Sequence, residues 1–184
     1  PWSCALTDYP ASMVRAADLV IAADYGHGMF TASIRGYLGT DSRFLAVCAQ
    51  TNAANKGTNP ASLWHKANYV VMNEPEAERI TDDAFRELSW DAIAITRGIN
   101  GATLCAGFEY HEYPFPGLNH APVDTVGCGD AFLAITAPLL AIECPPEYAV
   151  FIGSVMAGIQ CQFRANSMAI NKDWLRRAIK SYLA

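Results

Sequence analysis

Val123-Asp124-Thr125-Val126-Gly127-Cys128-Gly129-Asp130-Ala131-Phe132 is the stretch on which the reading of this 184-residue chain turns. It follows an extended segment, Tyr110 to Phe115, and a Pro/Gly loop, and it opens into a strongly apolar helical stretch. A helix that starts at such a turn begins with backbone N–H groups that have no partner in the helix, and its dipole adds positive potential at the same place. Gly127 and Gly129 allow φ > 0 and close approach of a ligand to the main chain. The product is an anion pocket, with phosphate as its first expected occupant. Asp124 and Asp130 place two carboxylates on the rim. Such charges cost stability there unless they serve metal binding or proton transfer.

Outward from this turn, the C-terminal side reads as helix. Ala131 to Ile142 is apolar nearly all round, with a kink expected at Pro138, and Pro145-Pro146-Glu147 starts a second helix through about Phe163. Asn171 caps a last helix, on which Trp174, Leu175, Ala178, Ile179 and Tyr182 share one face. On the N-terminal side, Asp18 to Ala23, Arg43 to Ala49, Asn68 to Met72 and Asp91 to Thr96 are short continuous apolar runs, the pattern of strands buried on both faces. Helices are expected between them, from Thr31 to about Leu38, from Pro75 to Ile80 and from Thr81 or Asp82 through Leu88. Gly101 to Ala106 and Glu109 to Phe115 read as a hairpin about Gly107-Phe108.

Residues 2–13, interrupted by Pro10, carry no assigned element, and 1–17 is read as a linker or the remnant of a preceding region. Residues 18–184 then form one α/β domain, a mostly parallel sheet with helices on both faces. Ligands of such sheets bind outside the carboxyl ends of the strands. Polar loops around Asp24, Asn52, Asn73 and Gly98 fall at those ends and should converge with the glycine turn.

Composition narrows the classes. With 52% hydrophobic and 17% charged residues the chain can bury an extensive sheet, and a net charge of -5 without a basic cluster argues against a nucleic-acid partner. The longest apolar run is broken by Thr136 and Pro138, short of the ~20 residues a membrane span needs, so no membrane is expected. Six scattered cysteines without a CxxC pair favour reduced, buried thiols and a cytoplasmic setting. A dinucleotide oxidoreductase would need a Gly-x-Gly-x-x-Gly turn after the first strand, which is missing.

Three features together resemble the ribokinase-like carbohydrate kinases, the PfkB family. Asp124-Thr125-Val126-Gly127-Cys128-Gly129-Asp130 is similar to that family's Asp-Thr-x-Gly-Ala-Gly-Asp signature. Asn73-Glu74-Pro75-Glu76 resembles its Asn-x-x-Glu motif, and Thr96-Arg97-Gly98 with Gly101 resembles the strand end that borders the nucleotide. The resemblance implies a Rossmann-like ribokinase fold, with ATP and Mg²⁺ as cofactors and a sugar or sugar phosphate as acceptor. It gives Asp130 the role of general base, and the N–H groups of Gly127, Cys128 and Gly129 the role of anion hole. Asn73 and Glu76 would organise water around Mg²⁺. Thr96, Gly98, Gly101, Ala165 and Asn166 would border the nucleotide, and Asp24, His27, Asn52, Lys56, Asp124 and Thr125 would face substrate or phosphate. Asp24-Tyr25-Gly26-His27-Gly28 looks most like the loop of heptose-phosphate kinases, some of which are fused to a nucleotidyltransferase.

The departures bear on the expectation. Cys128 stands where the family usually has Ala; a thiol at a helix start should have a lowered pKa and be reactive, and the plainer alternative is a small buried residue. His27 stands where the heptose-type loop usually has Lys, and Gln50 to Asn55, with Lys56 loosely matched, replaces an Asp-Pro-Lys phosphate contact. Nothing before Asp18 resembles the family's sugar-binding N-terminal part and β lid. The chain is therefore expected to be the nucleotide-binding part of a longer protein, with apolar surface that would suit a homodimer. For Asn73 to Glu76 ordinary helix capping stands beside the metal role, and for Asp124 a structural tie stands beside a phosphate-linked one. A non-catalytic module serving a fused nucleotidyltransferase is the second expectation for the whole.

Overall fold

The structure, a computed structural model, describes residues 11–51, 58–106, 121–165 and 167–183. Within them helix α1 (Ala11–Ala16) leads to strand β1 (Val20–Asp24), helix α2 (Ala32–Asp41) and strand β2 (Leu45–Ala49). Strand β3 (Lys66–Asn73), the short helices α3 (Glu74–Ala77) and α4 (Asp82–Arg86), and strands β4 (Ser89–Thr96) and β5 (Ala102–Ala106) follow. Helices α5 (Cys128–Ala141), α6 (Pro146–Gln160) and α7 (Lys172–Leu183) come last.

The strands lie side by side in chain order, with β1 to β4 parallel and β5 antiparallel to β4. The α/β class with a mostly parallel sheet expected from the apolar runs is the one found. Strand β2 shows why its sequence has no polar alternation. Leu45, Val47 and Ala49 enter one core layer with Leu38, Trp64, Val70 and Met72. Ala46 and Cys48 enter the other with Tyr69, Val71, Leu104, Phe132 and Val150. Both faces are covered, so both sets of alternate residues must be apolar.

The strand order also decides where the helices go. Parallel strands added one after another in the same direction, through crossovers of the same hand, put every connector on one face. Leu38 of α2, Ala61 and Trp64 of the β2–β3 connection, and Ala77 and Ile80 before α4 all join the layer of Val47 and Val70. The opposite face is left for α5 and α6, which follow the sheet in sequence and bring Phe132, Leu133, Ala137 and Val150 onto it. Each such large side chain contributes roughly 1.5–3 kcal/mol by leaving water. The contact between the two helices is close: a Cβ on Gly153 would meet Thr136 Cγ2 at 2.5 Å and Phe132 Cε2 at 2.8 Å. Thr136 also ties α5 to the sheet, because Tyr69 donates its hydroxyl hydrogen to Thr136 Oγ1 at 2.9 Å while Thr136 donates to Phe132 O.

Several expected boundaries move. α1 was not expected; it forms beyond Pro10 and puts Val14 against the core, with Arg15 paired to Asp41 at 2.7 Å. The helix expected from Pro75 to Ile80 stops at Ala77. Strand β5 pairs antiparallel with β4, and residues 109–115, the second strand of the expected hairpin, lie outside those described. α5 begins three residues earlier than expected, at Cys128, so the glycine motif is part of its first turn. No helix among the described residues is long and apolar enough to cross a membrane.

Candidate functional site

The parallel strands end together, with Asp24 in register with Ala49 and Asn73 in register with Thr96. Beyond that edge lies a cavity of about 740 Å³. That size suits a ligand as large as a nucleotide. Its wall contains Gln50, Asn73, Glu76, Thr96, Gly98 and Gly101 from the strand ends, and Thr125, Gly127, Cys128, Gly129 and Asp130 from the glycine turn. The convergence expected from the strand-end rule is therefore present.

Gly127 is the N-cap of α5 with φ of 82°, a left-handed conformation that glycine adopts without strain. Gly129 does not need positive φ; it is the second residue of the helix, and a Cβ there would meet nothing within 4 Å. Its missing side chain leaves open space over the first turn. The helical ladder starts with Ala131 N–H on Gly127 O at 2.9 Å, and Cys128 N–H is held by Thr125 O at 3.2 Å. The N–H groups of Gly129 and Asp130 precede the ladder, so helix geometry leaves them for an external acceptor such as phosphate.

Asp130 lies in the first turn of α5, and both carboxylate oxygens are engaged across the strand ends. Gln50 Nε2 donates to Oδ1 at 2.9 Å, and Tyr25 donates its hydroxyl hydrogen to Oδ2 at 3.1 Å. Burial first, and then the charge of Asp130, raise the Tyr25 pKa, which keeps the phenol a donor. Neither Tyr25 nor Gln50 stood out in the sequence. Each is the residue immediately after a strand, Tyr25 after β1 and Gln50 after β2, so the strand-end rule marks the right loops and the right positions within them.

At the end of β3, Asn73 caps α3 through a reciprocal capping box: Asn73 Oδ1 accepts from Glu76 N at 2.8 Å and Glu76 Oε2 accepts from Asn73 N at 2.9 Å. Glu76 is only 7% exposed, and its other oxygen accepts from Thr51 N at 2.8 Å. Its carboxylate thus fixes the β2 loop against α3 while remaining on the cavity wall. Among the described residues no group of three or more His, Cys, Asp or Glu is arranged to hold a metal. A cation that keeps most of its water and takes phosphate oxygens, as magnesium does, fits this donor set better than one needing a full protein cage.

Other expected site residues sit elsewhere. Asp24 is 2% exposed and does not line the cavity; it accepts from Gly26 N, Trp64 Nε1 at 3.1 Å and Arg35 Nη2 at 3.3 Å. Its geometry is that of a buried anchor for the Tyr25 loop, supported by three donors rather than facing a ligand. His27 is exposed and outside the cavity wall. Asp124 bonds Val126 N at 3.0 Å and Ala165 N at 2.9 Å, which lowers its pKa and ties the glycine turn to the left-handed residue Ala165. The structural alternative for Asp124 is thus visible in its bonds. Asn52, Lys56 and Asn166 lie outside the described residues.

The expected lowering of the Cys128 pKa is not found. Desolvation, and then a hydrogen bond and the charge of Cys161, push this thiol up to about 12 despite the helix dipole. Ser154 of α6, 6% exposed, also reaches the cavity wall with an Oγ that has no hydrogen-bond partner among the described residues. A ligand group that bonded it would remove a penalty of about 1–3 kcal/mol.

A family model described as pfkB family carbohydrate kinase matches residues 47–169. No curated protein matches the chain. Among solved structures, the chain is similar to a ribokinase from Thermotoga maritima, with a TM-score of 0.74 at 19% identity over 92% of this chain and 59% of that one. An Arabidopsis thaliana ribokinase complexed with ribose and ATP gives 0.75 at 17% identity, over 95% and 59%. A Burkholderia thailandensis nucleoside kinase in complex with inosine gives 0.70 at 19% identity, again over 95% and 59%. The chain thus spans about three fifths of the length of each.

Proposed function

The chain belongs to the pfkB family of carbohydrate kinases, and from that membership we propose that it takes part in ATP-dependent phosphoryl transfer to a hydroxyl of a sugar or sugar phosphate. The observation that supports this most is Asp130, in the first turn of α5 beside Gly127 and Gly129, with its carboxylate held by two donors at the edge of a cavity on the strand ends. When bound, ATP supplies the γ-phosphoryl group and Mg²⁺ offsets charge on the phosphate oxygens. The N–H groups at the start of α5 bind the negative oxygens, and the positive helix end favours them further. Asp130 takes the proton from the attacking hydroxyl. A carboxylate has about four lone-pair sites, so that hydroxyl can share an oxygen with Tyr25 or Gln50. Asn73 and Glu76 would order water about the cation, since both Glu76 oxygens already hold main-chain N–H groups. Thr96, Gly98 and Gly101, which also line the cavity, border the nucleotide in this reading.

The heptose-phosphate subclass rests on the Asp24 to Gly28 loop, in which Tyr25 rather than Asp24 reaches the cavity. The acceptor is therefore proposed as the broader class.

In the protein at its full natural length, Asp130→Asn is expected to lower kcat by on the order of 10²–10⁴, with ATP·Mg²⁺ affinity by calorimetry kept within a few-fold. An Asn variant with undiminished turnover would sink the role given to Asp130. No ATP binding by the unsubstituted protein would instead favour a non-catalytic module that scaffolds a fused nucleotidyltransferase.

A further inference from the structure

Asp24 stands between the two side chains that hold Asp130. Tyr25, its neighbour in sequence, donates to one carboxylate oxygen of Asp130, and Gln50, which donates to the other, places its main-chain N–H on Asp24 O at 2.9 Å. Both donors are thus tied to the Asp24 backbone, one by a peptide bond and one by a hydrogen bond. The Asp24 side chain adds a second tie, and it acts on Tyr25. Its Oδ1 accepts from Gly26 N at 3.0 Å, closing a turn around Tyr25 in which Gly26 has a φ of 73°. Its Oδ2 is fixed from other parts of the fold, by Trp64 Nε1 at 3.1 Å and Arg35 Nη2 at 3.3 Å, with the Arg35 guanidinium 5.8 Å from the centre of the Trp64 ring. Asn59 joins the same network, donating to Asp24 O at 3.0 Å and accepting from Arg35 Nη2 at 3.4 Å.

We propose that Asp24 is a positioning residue for phosphoryl transfer: its carboxylate fixes the turn that keeps the Tyr25 hydroxyl on Asp130. The reaction it serves rests on the kinase reading; the link from Asp24 to Tyr25 does not.

The chemistry of the network explains why a carboxylate is used. Asp24 is 2% exposed, and a charge so far from water needs donors on both oxygens. Gly26 meets one oxygen, and Trp64 with Arg35 meets the other. An Asn amide has a single oxygen, so its NH₂ would face donors on one side or the other. It must release either the Gly26 turn or the Trp64 and Arg35 anchor. In both cases the turn loses its fixed place, and Tyr25 must be ordered afresh for its bond to Asp130. Gln50 is held through the Asp24 main chain, so its bond to Asp130 survives. The loss is bounded by the one bond the side chain serves, and Asp24→Asn should lower kcat/KM by about 2–10-fold, as Tyr25→Phe does.

The test uses the protein at its full natural length, labelled with ¹³Cζ-tyrosine, with the Tyr25 signal assigned by its loss in Tyr25→Phe. Burial and then the charge of Asp130 hold the Tyr25 phenol above the ordinary value of 10.0, so Asp130→Asn should move its titration down toward that value. Asp24→Asn is expected to move it the same way and to add little in the Asp130→Asn background. An unmoved titration in folded Asp24→Asn overturns the proposal, as does a shift that persists undiminished in that background. If Asp24→Asn does not fold, Arg35→Met, which removes one donor from Oδ2, must lower the titration, and an unmoved value there overturns the proposal equally. Kinetics supply the second readout, with ATP·Mg²⁺ and the best acceptor from a panel of pentoses, hexoses, heptoses and their monophosphates. Asp24→Asn combined with Tyr25→Phe should stay within about twofold of Tyr25→Phe alone, because both remove the same bond. A full further loss in the double variant assigns Asp24 a general structural role instead and overturns the proposal. Transfer to no acceptor by the unsubstituted protein overturns the kinase reading, and the titration still decides the link from Asp24 to Tyr25.

Discussion

Asp130 is only as useful as the two side chains that aim it. Tyr25 and Gln50 come from different strand ends, 105 and 80 residues away in sequence, which is why no local pattern revealed them. Residue type and spacing reported the glycine turn because its chemistry is local, whereas the two donors that hold the Asp130 carboxylate meet it only after the sheet has brought β1 and β2 to α5. Tyr25→Phe removes one neutral donor, a bond worth about 0.5–1.5 kcal/mol, so kcat/KM for phosphoryl transfer should fall by about 2–10-fold. Unchanged steady-state kinetics would remove Tyr25 from that role. Asp124 offers a pH test. The N–H groups of Val126 and then Ala165 hold its pKa below the usual 3.8, so the folded carboxylate binds a proton more weakly than the unfolded one. Its support for the turn is then complete above the unfolded value and lost as pH falls through the folded one. Amide exchange followed by NMR should show Ala165 N–H protected near neutral pH and opening only as pH falls below the ordinary carboxylate value of 3.8, with Asp124→Asn already open.

Among the elements, α5 and α6 pack closely at Gly153. Gly153→Ala puts a methyl group into Thr136 and Phe132, and the resulting overpacking, about 1–3 kcal/mol, exceeds the roughly 1 kcal/mol that Ala gains over Gly in a helix. A lowered urea midpoint with an unchanged m-value is the expected result, and a raised midpoint would show that the helices separate at little cost. Strands β1 to β4 were legible because burial on both faces leaves a continuous apolar run. β5 was legible as a strand, and its antiparallel pairing with β4 adds a partner on the preceding strand that a reading of the next segment does not look for. α1 escaped notice because six residues cannot show a helical period, and it is held by Val14 and Arg15 rather than by its own pattern. The true start of α5 was missed because two glycines in its first turn look like loop, although Gly129 is there for the space it leaves.

For the whole molecule, burial predicts a gradient of local stability. β2 is buried throughout and β3 is buried at five of its eight positions, whereas α7 has no buried residue and rests partly on the Phe163–Trp174 stack at 5.6 Å. Native-state hydrogen exchange should be slowest in β2 and β3, faster in β1, whose one strand neighbour among the described residues is β2, and fastest in α7. Equal protection of α7 and β3 would contradict that ranking. The placement of every crossover on one face has a further consequence, in time rather than in space. During synthesis the sheet can assemble with one face already covered, but the other stays bare until α5 and α6 emerge. The 54 residues that follow Ala106, up to Gln160, take roughly 3–10 s at ordinary elongation rates. Tyr69, Val71 and Leu104 wait exposed through that interval, so the nascent chain is at its most aggregation-prone just before the glycine turn of α5 meets the strand ends.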